Sequence, residues 1–123
     1  QELILQPQSD LPHFRHFLAE IGWEIVSEEM IKEDGKFYPM MKAVRNESGK
    51  KISYTEEEAW FGPLLLRECH PVLKEYLLRE TAIREKILAG LLSAPSESAK
   101  ARLAEVKEEM ELIKSALKRY ESI

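Results

Sequence analysis

The sequence has almost no cysteine, and its few glycines are scattered. Cys69 is the one cysteine among 123 residues, which excludes a disulfide framework and a cysteine-based zinc cluster. The five glycines stand too far apart to form a phosphate-binding loop. No apolar run approaches the roughly 18 residues of a membrane span, so no membrane segment is predicted. His13 and His16 lie three residues apart without a third ligand nearby, so no metal site is predicted either.

An excess of positive charge is also missing. The chain has 18 basic and 22 acidic side chains and a net charge of −4, which excludes a globally basic nucleic-acid binder but leaves room for a local basic face. Charged residues make up 33% of the chain and hydrophobic residues 44%. The charged share exceeds the average of about 25%, which favours long solvated helices, while the apolar share argues against disorder.

The first half has the pattern of an α/β sheet. Residues 2–5 are apolar on both faces, which is typical of a strand that is covered on both sides. A helix is expected to follow, capped by Ser9 or Asp10 and ended by Gly22. Asp34-Gly35 between two apolar runs predicts a hairpin with a type I′ turn. Pro39 predicts an interruption or a sheet edge in the returning strand.

These elements are too few to bury their own first strand. Three strands and one helix cannot cover a strand that is apolar on both faces. We therefore expect residues 1–53 to be the closing end of a larger sheet, with earlier strands supplied by sequence that precedes Gln1.

The second half, residues 54–123, has the pattern of a helical domain. Thr55 and Glu58 predict a capping box, and helix boundaries are expected at Gly62-Pro63 and His70-Pro71. Two long helices flank a serine-rich loop at 93–98. The last has apolar residues at spacings of three and four, which predicts an antiparallel coiled-coil hairpin: Leu103, Val106, Met110, Ile113, Leu117 and Tyr120. The heptad frame of the helix before the loop is expected to comprise Leu73, Tyr76, Ile83 and Ile87. A single buried amphipathic helix is the alternative.

Two sets of residues are candidate functional groups. Gln6 and Pro7 directly follow a buried strand, and ligands of open α/β sheets bind outside the carboxyl ends of strands. The Gln6 carboxamide could offer a donor and an acceptor to a base edge; a polar loop residue before a proline is the alternative. The basic side chains of the helical half could track phosphates, or form a solvated, salt-bridged face. They are Lys74, Arg79, Arg84, Lys86, Lys100, Arg102, Lys107, Lys114, Lys118 and Arg119.

The order of these features resembles the bacterial tRNA (adenine-22-N1)-methyltransferases over essentially the whole chain. The residues that carry the resemblance are Leu3-Ile4-Leu5-Gln6-Pro7, Gly22-Trp23-Glu24-Ile25-Val26, Glu33-Asp34-Gly35-Lys36-Phe37-Tyr38, Phe61-Gly62-Pro63-Leu64-Leu65 and Pro71-Val72. The resemblance implies the C-terminal part of a class I (Rossmann-like) methyltransferase sheet, followed by the coiled-coil hairpin. S-adenosyl-L-methionine would be bound mainly by N-terminal sequence absent here.

The resemblance also implies roles for residues of this chain. The whole enzyme would be cytoplasmic and would methylate N1 of an adenine in tRNA, and this segment alone is expected to be inactive. Gln6 and Pro7 match the catalytic rim motif, which usually continues with asparagine where this chain has Gln8. Binding of tRNA would involve Lys74, Arg79, Arg84, Lys86, Lys100, Arg102 and Lys107.

Other functional interpretations remain open. The main rival is a non-catalytic interaction module whose coiled-coil seam mediates self-association. A weaker one is a methyltransferase that acts on another nucleic acid or a small molecule. The segment could also self-associate through the coiled coil or through its open sheet edge.

Overall fold

A computed structural model describes residues 2–7 and 9–122. The elements, in chain order, are strand β1 (Glu2–Leu5), helix α1 (Leu11–Glu20), strands β2 (Trp23–Glu33) and β3 (Lys36–Arg45), helices α2 (Glu56–Phe61), α3 (Pro63–Arg67), α4 (Pro71–Ser93) and α5 (Glu97–Lys118), and a 3₁₀ turn (Arg119–Ser122). The chain divides into two compact units, Gln1–Leu73 and Lys74–Ile123. Among the described residues, no helix is both long and apolar enough to cross a bilayer.

The first unit contains a three-stranded sheet in the order β1-β3-β2. β3 pairs antiparallel with both neighbours, so β1 and β2 run in the same direction and end at the same edge of the sheet. The strand predicted at residues 2–5 is confirmed, but within the described chain it is not covered on both sides, since Ile4 is 80% exposed. The face of β1 that carries Ile4 is thus uncovered among the described residues.

The β2–β3 hairpin turns at Asp34-Gly35. Both residues have positive φ, at 51° and 76°, which confirms the predicted turn, because a type I′ turn needs positive φ at both central positions. Pro39 lies in β3 opposite Met30. β1 pairs with β3 only as far as Met41. β3 therefore has no β1 neighbour at Pro39, which confirms the predicted sheet edge at this residue.

Helix α1 packs one face against the sheet. Leu18 joins a buried cluster with Ile25, Met41, Ala43 and Leu64. The helix begins after Asp10, as predicted, but no side chain caps it, so the predicted cap is wrong. Asp10 has a left-handed backbone, with φ 49°, whereas a capping side chain needs an extended backbone to reach the free N–H groups.

A buried ion pair ties α1 to the rest of the first unit. Arg15 is 1% exposed, and its Nη2 lies 3.1 Å from the Glu28 carboxylate on β2. Arg15 Nη1 donates to the carbonyl oxygen of Ala59 in α2 at 2.8 Å. Glu28 Oε1 accepts from the backbone N–H of Leu64 at 2.8 Å and of Leu65 at 3.4 Å, at the start of α3. The two side chains therefore connect four elements of one unit.

The break between α2 and α3 falls where the sequence predicts it. The capping box of Thr55 and Glu58 is present at the start of α2, and α2 ends before Gly62. Gly62 has φ 98°, and a Cβ there would lie 2.7 Å from a Glu28 carboxylate oxygen. Both the backbone conformation and the close approach of Glu28 therefore require glycine.

The second unit contains most of α4 and all of α5, which run antiparallel. Arg84 pairs with Glu109, and Lys74 Nζ lies 5.9 Å from the ring centroid of Tyr120, so earlier residues of α4 meet later residues of α5. The predicted stripe on α5 is buried or half-buried along its length.

The predicted frame of α4 is partly wrong. Ile83 was expected in the apolar stripe but is 41% exposed. Arg84 takes the inward position instead, seven residues from the buried Leu77. Ionised residues can occupy such a position when they are paired, as Arg84 is with Glu80 and Glu109. The pattern of apolar residues alone does not detect this arrangement.

Candidate functional site

The candidate site lies at the sheet edge where β1 ends. Gln6 and Pro7 follow β1 directly; Gln6 is exposed and Pro7 is half-buried. β2 ends at the same edge, and residues 36–40 of β3 continue beyond the last β1 pair. At about 3.3 Å per residue the hairpin extends about 17 Å past the end of β1. Gln6 therefore lies beside a projecting hairpin.

The Gln6 side chain is available to a ligand. It forms no hydrogen bond with any residue in the described ranges 2–7 and 9–122. A free carboxamide presents one acceptor oxygen and two donor hydrogens, which suits recognition of a flat heterocycle edge. Gln8, which stands where the resembled motif has asparagine, lies outside the described residues.

Of the predicted basic residues, Arg84 is the most enclosed. Its side chain is 13% exposed, and it bonds to Glu80 Oε1 at 2.7 Å and to Glu109 Oε1 at 3.1 Å. Burial acts to lower the pKa of Arg84, but the two carboxylates outweigh burial and raise it. The geometry gives Arg84 a role in joining α4 to α5.

The other six predicted basic residues are exposed on α4 and α5. Several of their cations have partners: Lys74 lies over Tyr120, Arg79 contacts Glu80 and the Tyr76 ring, Lys100 pairs with Glu97, and Arg102 pairs with Glu105 and Glu109. Lys86 and Lys107 form no ion pair with a described residue.

Spacing brings the exposed cations together in pairs. Arg79 and Lys86 are seven residues apart on α4, and so are Lys100 and Lys107 on α5. Residues at this spacing share a helix face. Each helix therefore presents a short basic row.

Two of the three histidines contact glutamate side chains. His16 lies 3.0 Å from Glu56. His70 Nδ1 accepts from the N–H of Val72 at 3.1 Å, at the start of α4, while Nε2 contacts Glu29. Since Nδ1 is the acceptor, the proton of a neutral ring lies on Nε2. The described residues contain no cluster of metal-ligating side chains.

Sequence reasoning missed a second polar site in the first unit. A pocket of about 380 Å³ lies where β2 begins and β3 ends, and Lys50, Lys51 and Arg67 line it. These residues come from a polar loop and from the end of α3. No spacing motif joins them, so only the folded chain places them together.

Comparison with known proteins decides the family. A model of the family described as tRNA (adenine(22)-N(1))-methyltransferase matches residues 1–115. The chain belongs to this family. The resemblance carried by the five short motifs is thereby confirmed.

Relatives within and around this family share sequence and fold with the chain. The tRNA (adenine(22)-N(1))-methyltransferase of Bacillus subtilis is 27% identical over 120 residues, which cover 95% of this chain and 50% of the relative. A Streptococcus agalactiae protein of the NADB-Rossmann superfamily is 28% identical with a TM-score of 0.76, covering 94% of this chain and 47% of that one. The predicted α/β class is confirmed, and the chain shares its fold with part of a Rossmann-like protein.

A second similar structure contains a ligand. Streptococcus pneumoniae Sp1610, solved in complex with S-adenosyl-L-methionine, is 26% identical with a TM-score of 0.74 and covers 94% of this chain and 47% of that one. This chain thus spans about half the length of the relatives it matches.

Proposed function

We propose that the protein containing this chain transfers a methyl group from S-adenosyl-L-methionine to N1 of adenine 22 in tRNA. The chain would supply the end of the sheet and a helical tRNA-binding domain. The observation that carries the proposal is the exposed Gln6, followed by the half-buried Pro7, at the carboxyl end of β1, in a chain that belongs to this family. Such an enzyme would work in the cytoplasm on tRNA.

The reaction makes limited demands on side chains. N1 of adenine has a lone pair in the ring plane, so the enzyme must mainly expose, orient and desolvate the base. Gln6 would hydrogen-bond the edge of the extruded adenine and hold its ring plane. Pro7 would fix the backbone that carries Gln6, because its ring restricts φ.

We expect this chain to supply only part of the cofactor site. Its glycines are scattered, and the pockets found among the described residues lack a glycine-rich loop at a helix start. S-adenosyl-L-methionine, the methyl donor, would be held mainly by sequence outside this chain. The residues of this chain would therefore act on the adenine and on the tRNA backbone.

The helical domain would bind tRNA as a coiled-coil hairpin. The antiparallel contacts of Arg84 with Glu109 and of Lys74 with Tyr120 support this arrangement. We place the domain boundary at residues 53/54, so that 1–53 belongs to the methyltransferase sheet and 54–123 to the helical domain. Self-association through the helices or the β1 edge remains a prediction.

The function is tested by methyl transfer to a defined tRNA. We expect the natural protein to transfer labelled methyl groups from S-adenosyl-L-methionine to an unmodified tRNA transcript with adenine at position 22. A transcript with guanine at that position is the control and should accept none. Equal labelling of both transcripts would contradict the proposed site of modification, and no labelling of either would favour the non-catalytic module.

The basic rows of α4 and α5 lead to a separate prediction about tRNA binding. Replacing Lys86 and Lys107 together with serine should weaken tRNA binding about tenfold at moderate salt. If both contact phosphates, the slope of log affinity against log salt should fall by about 1.4–1.8, since each contact contributes about 0.7–0.9. Filter binding across a salt series measures both quantities.

The control for this experiment is the enclosed cation of the same hairpin. Arg84→Met should lower the thermal midpoint of the protein and leave the salt slope unchanged, because Arg84 bonds to Glu80 and Glu109. An unchanged salt slope in the Lys86/Lys107 variant would show that these residues do not contact tRNA phosphates.

A further inference from the structure

The pocket at the start of β2 concentrates positive charge. Lys50, Lys51 and Arg67 line its cavity of about 380 Å³, and Glu24 is the one carboxylate among the described lining residues. Three cations against one anion is unusual in a chain whose net charge is −4. A concave site lined mainly by one sign of charge attracts ligands of the opposite sign.

These three cations also lack intramolecular partners. Lys50, Lys51 and Arg67 form no ion pair or hydrogen bond through their side chains with any residue of the described ranges. Elsewhere in the same unit, Arg15 pairs with Glu28 and Lys42 pairs with Glu2. The charge of the pocket is therefore available to a ligand.

Hydrogen bonds hold the wall of the pocket in place. Asn46 Nδ2 donates to the carbonyl oxygen of Lys50 at 2.9 Å, and its Oδ1 accepts from the N–H of Ser48 at 3.1 Å. Elsewhere in the pocket lining, the Tyr54 hydroxyl accepts from the N–H of Ile25 at 3.1 Å. A preformed wall loses little conformational freedom when a ligand binds.

We propose that this pocket binds a backbone phosphate of the tRNA substrate. This inference rests on the proposed function. The guanidinium of Arg67 suits bidentate contact with phosphate oxygens, while the two lysines supply mobile point charges. The pocket is far larger than one phosphate, so a sugar and its neighbouring groups have room beside the anion.

The position of the pocket favours a polymeric ligand over a small anion. The pocket lies at the sheet edge opposite Gln6, because the chain runs from Met41, level with the end of β1, through the rest of β3 to Asn46, the pocket residue directly after the strand. That stretch of strand spans about 17 Å. A nucleic-acid chain is long enough to contact Gln6 and the pocket at once. The pocket would then give the first unit a tRNA contact that is separate from the basic rows of α4 and α5.

The test uses the natural protein with the pocket charges removed. We expect Lys50→Ser/Lys51→Ser and Arg67→Ser each to raise the KM for tRNA three- to tenfold and to leave kcat within twofold. The salt slope of tRNA binding should fall by about 0.7–0.9 for each phosphate that the variant no longer neutralises. Because these side chains are exposed, circular dichroism should show an unchanged fold, and Arg67→Lys should recover part of the affinity.

Lys36→Ser is the matched control, since it removes an exposed cation at the hairpin turn, at the other edge of the sheet. It should change the KM less than twofold. If the natural protein methylates tRNA but the pocket variants behave like Lys36→Ser, the pocket inference is wrong while the proposed function stands. If the natural protein does not bind tRNA, the proposed function itself fails.

A second experiment distinguishes a backbone phosphate of tRNA from a free phosphate or mononucleotide as the ligand. Inorganic phosphate and adenosine monophosphate are titrated into the natural protein and the Arg67→Ser variant. Competition with tRNA only at millimolar concentration, abolished in the variant, supports a backbone-phosphate site. Micromolar binding of the mononucleotide, with tRNA binding unaffected by the pocket variants, would overturn the proposal in favour of a free-nucleotide site.

Discussion

Replacing Arg15 with methionine lowers the free energy of unfolding by about 3–5 kcal/mol, the usual cost of removing one partner of a buried ion pair. Methionine fills a similar volume but leaves the buried Glu28 carboxylate without its cation and the carbonyl of Ala59 without its donor. Urea unfolding of the natural protein and the variant, followed by circular dichroism, measures the difference.

Two further variants define the origin of this loss. Lys42→Met removes a cation from an ion pair that is about half exposed, and it should cost less than about 1 kcal/mol. Arg15→Met/Glu28→Gln removes both charges while the amide oxygen can still accept from Leu64, so it should be more stable than Arg15→Met alone. A double variant no more stable than the single one would contradict the buried-charge explanation.

The loss should also depend on pH. Burial raises the pKa of Glu28 above its usual value of 4.5, and the charge of Arg15 opposes that rise. Without Arg15 the pKa in the folded state rises further. A carboxyl whose folded pKa is raised stabilises the fold at low pH and loses that contribution as pH increases. The deficit of Arg15→Met should therefore be larger at pH 7.5 than at pH 5, and an equal deficit would contradict this assignment.

Replacing Gln6 with alanine reduces kcat for methyl transfer to tRNA about 100-fold. Loss of one well-placed hydrogen-bonding group at a reacting centre typically costs 10²–10³ in rate, and 100-fold equals about 2.7 kcal/mol. The KM for tRNA should stay within about threefold, because the phosphate contacts are unaffected. Single-turnover methylation with excess enzyme measures the chemical step directly.

The control for Gln6 is a neighbouring polar residue on the same loop. Ser9 is exposed, and Ser9→Ala should leave both kcat and the thermal midpoint unchanged. Gln6→Ala should also leave the thermal midpoint unchanged, since its side chain bonds to no described residue. A kcat for Gln6→Ala within threefold of that of the natural protein would contradict the proposed contact of Gln6 with the adenine.

Local signals in the sequence predict most of the elements. The turn at Asp34-Gly35 and the breaks at Gly62-Pro63 and His70-Pro71 depend on backbone conformations that few residue types adopt. The capping box at Thr55 depends on a side chain that few residue types offer. Such positions are informative without tertiary context. The family resemblance used the same short motifs, and it placed Gln6 at the rim.

Features that depend on long-range contacts were not predictable. Arg15 and Glu28 look like ordinary surface charges of a helix and a strand, and only the fold brings them together in the interior. The same holds for Lys50, Lys51 and Arg67 around their pocket. In α4, Arg84 takes a seam position because Glu109 lies opposite on α5, and the apolar pattern of one helix contains no such information.

The most direct test of the proposed function is nucleoside analysis of methylated tRNA. The natural protein is incubated with unmodified tRNA and S-adenosyl-L-methionine, and the digested nucleosides are separated and identified by mass spectrometry against standards. We expect N1-methyladenosine as the product, located at adenine 22. Methylation of another atom or another nucleoside, or no methylation by an intact, folded protein, would contradict the proposed function.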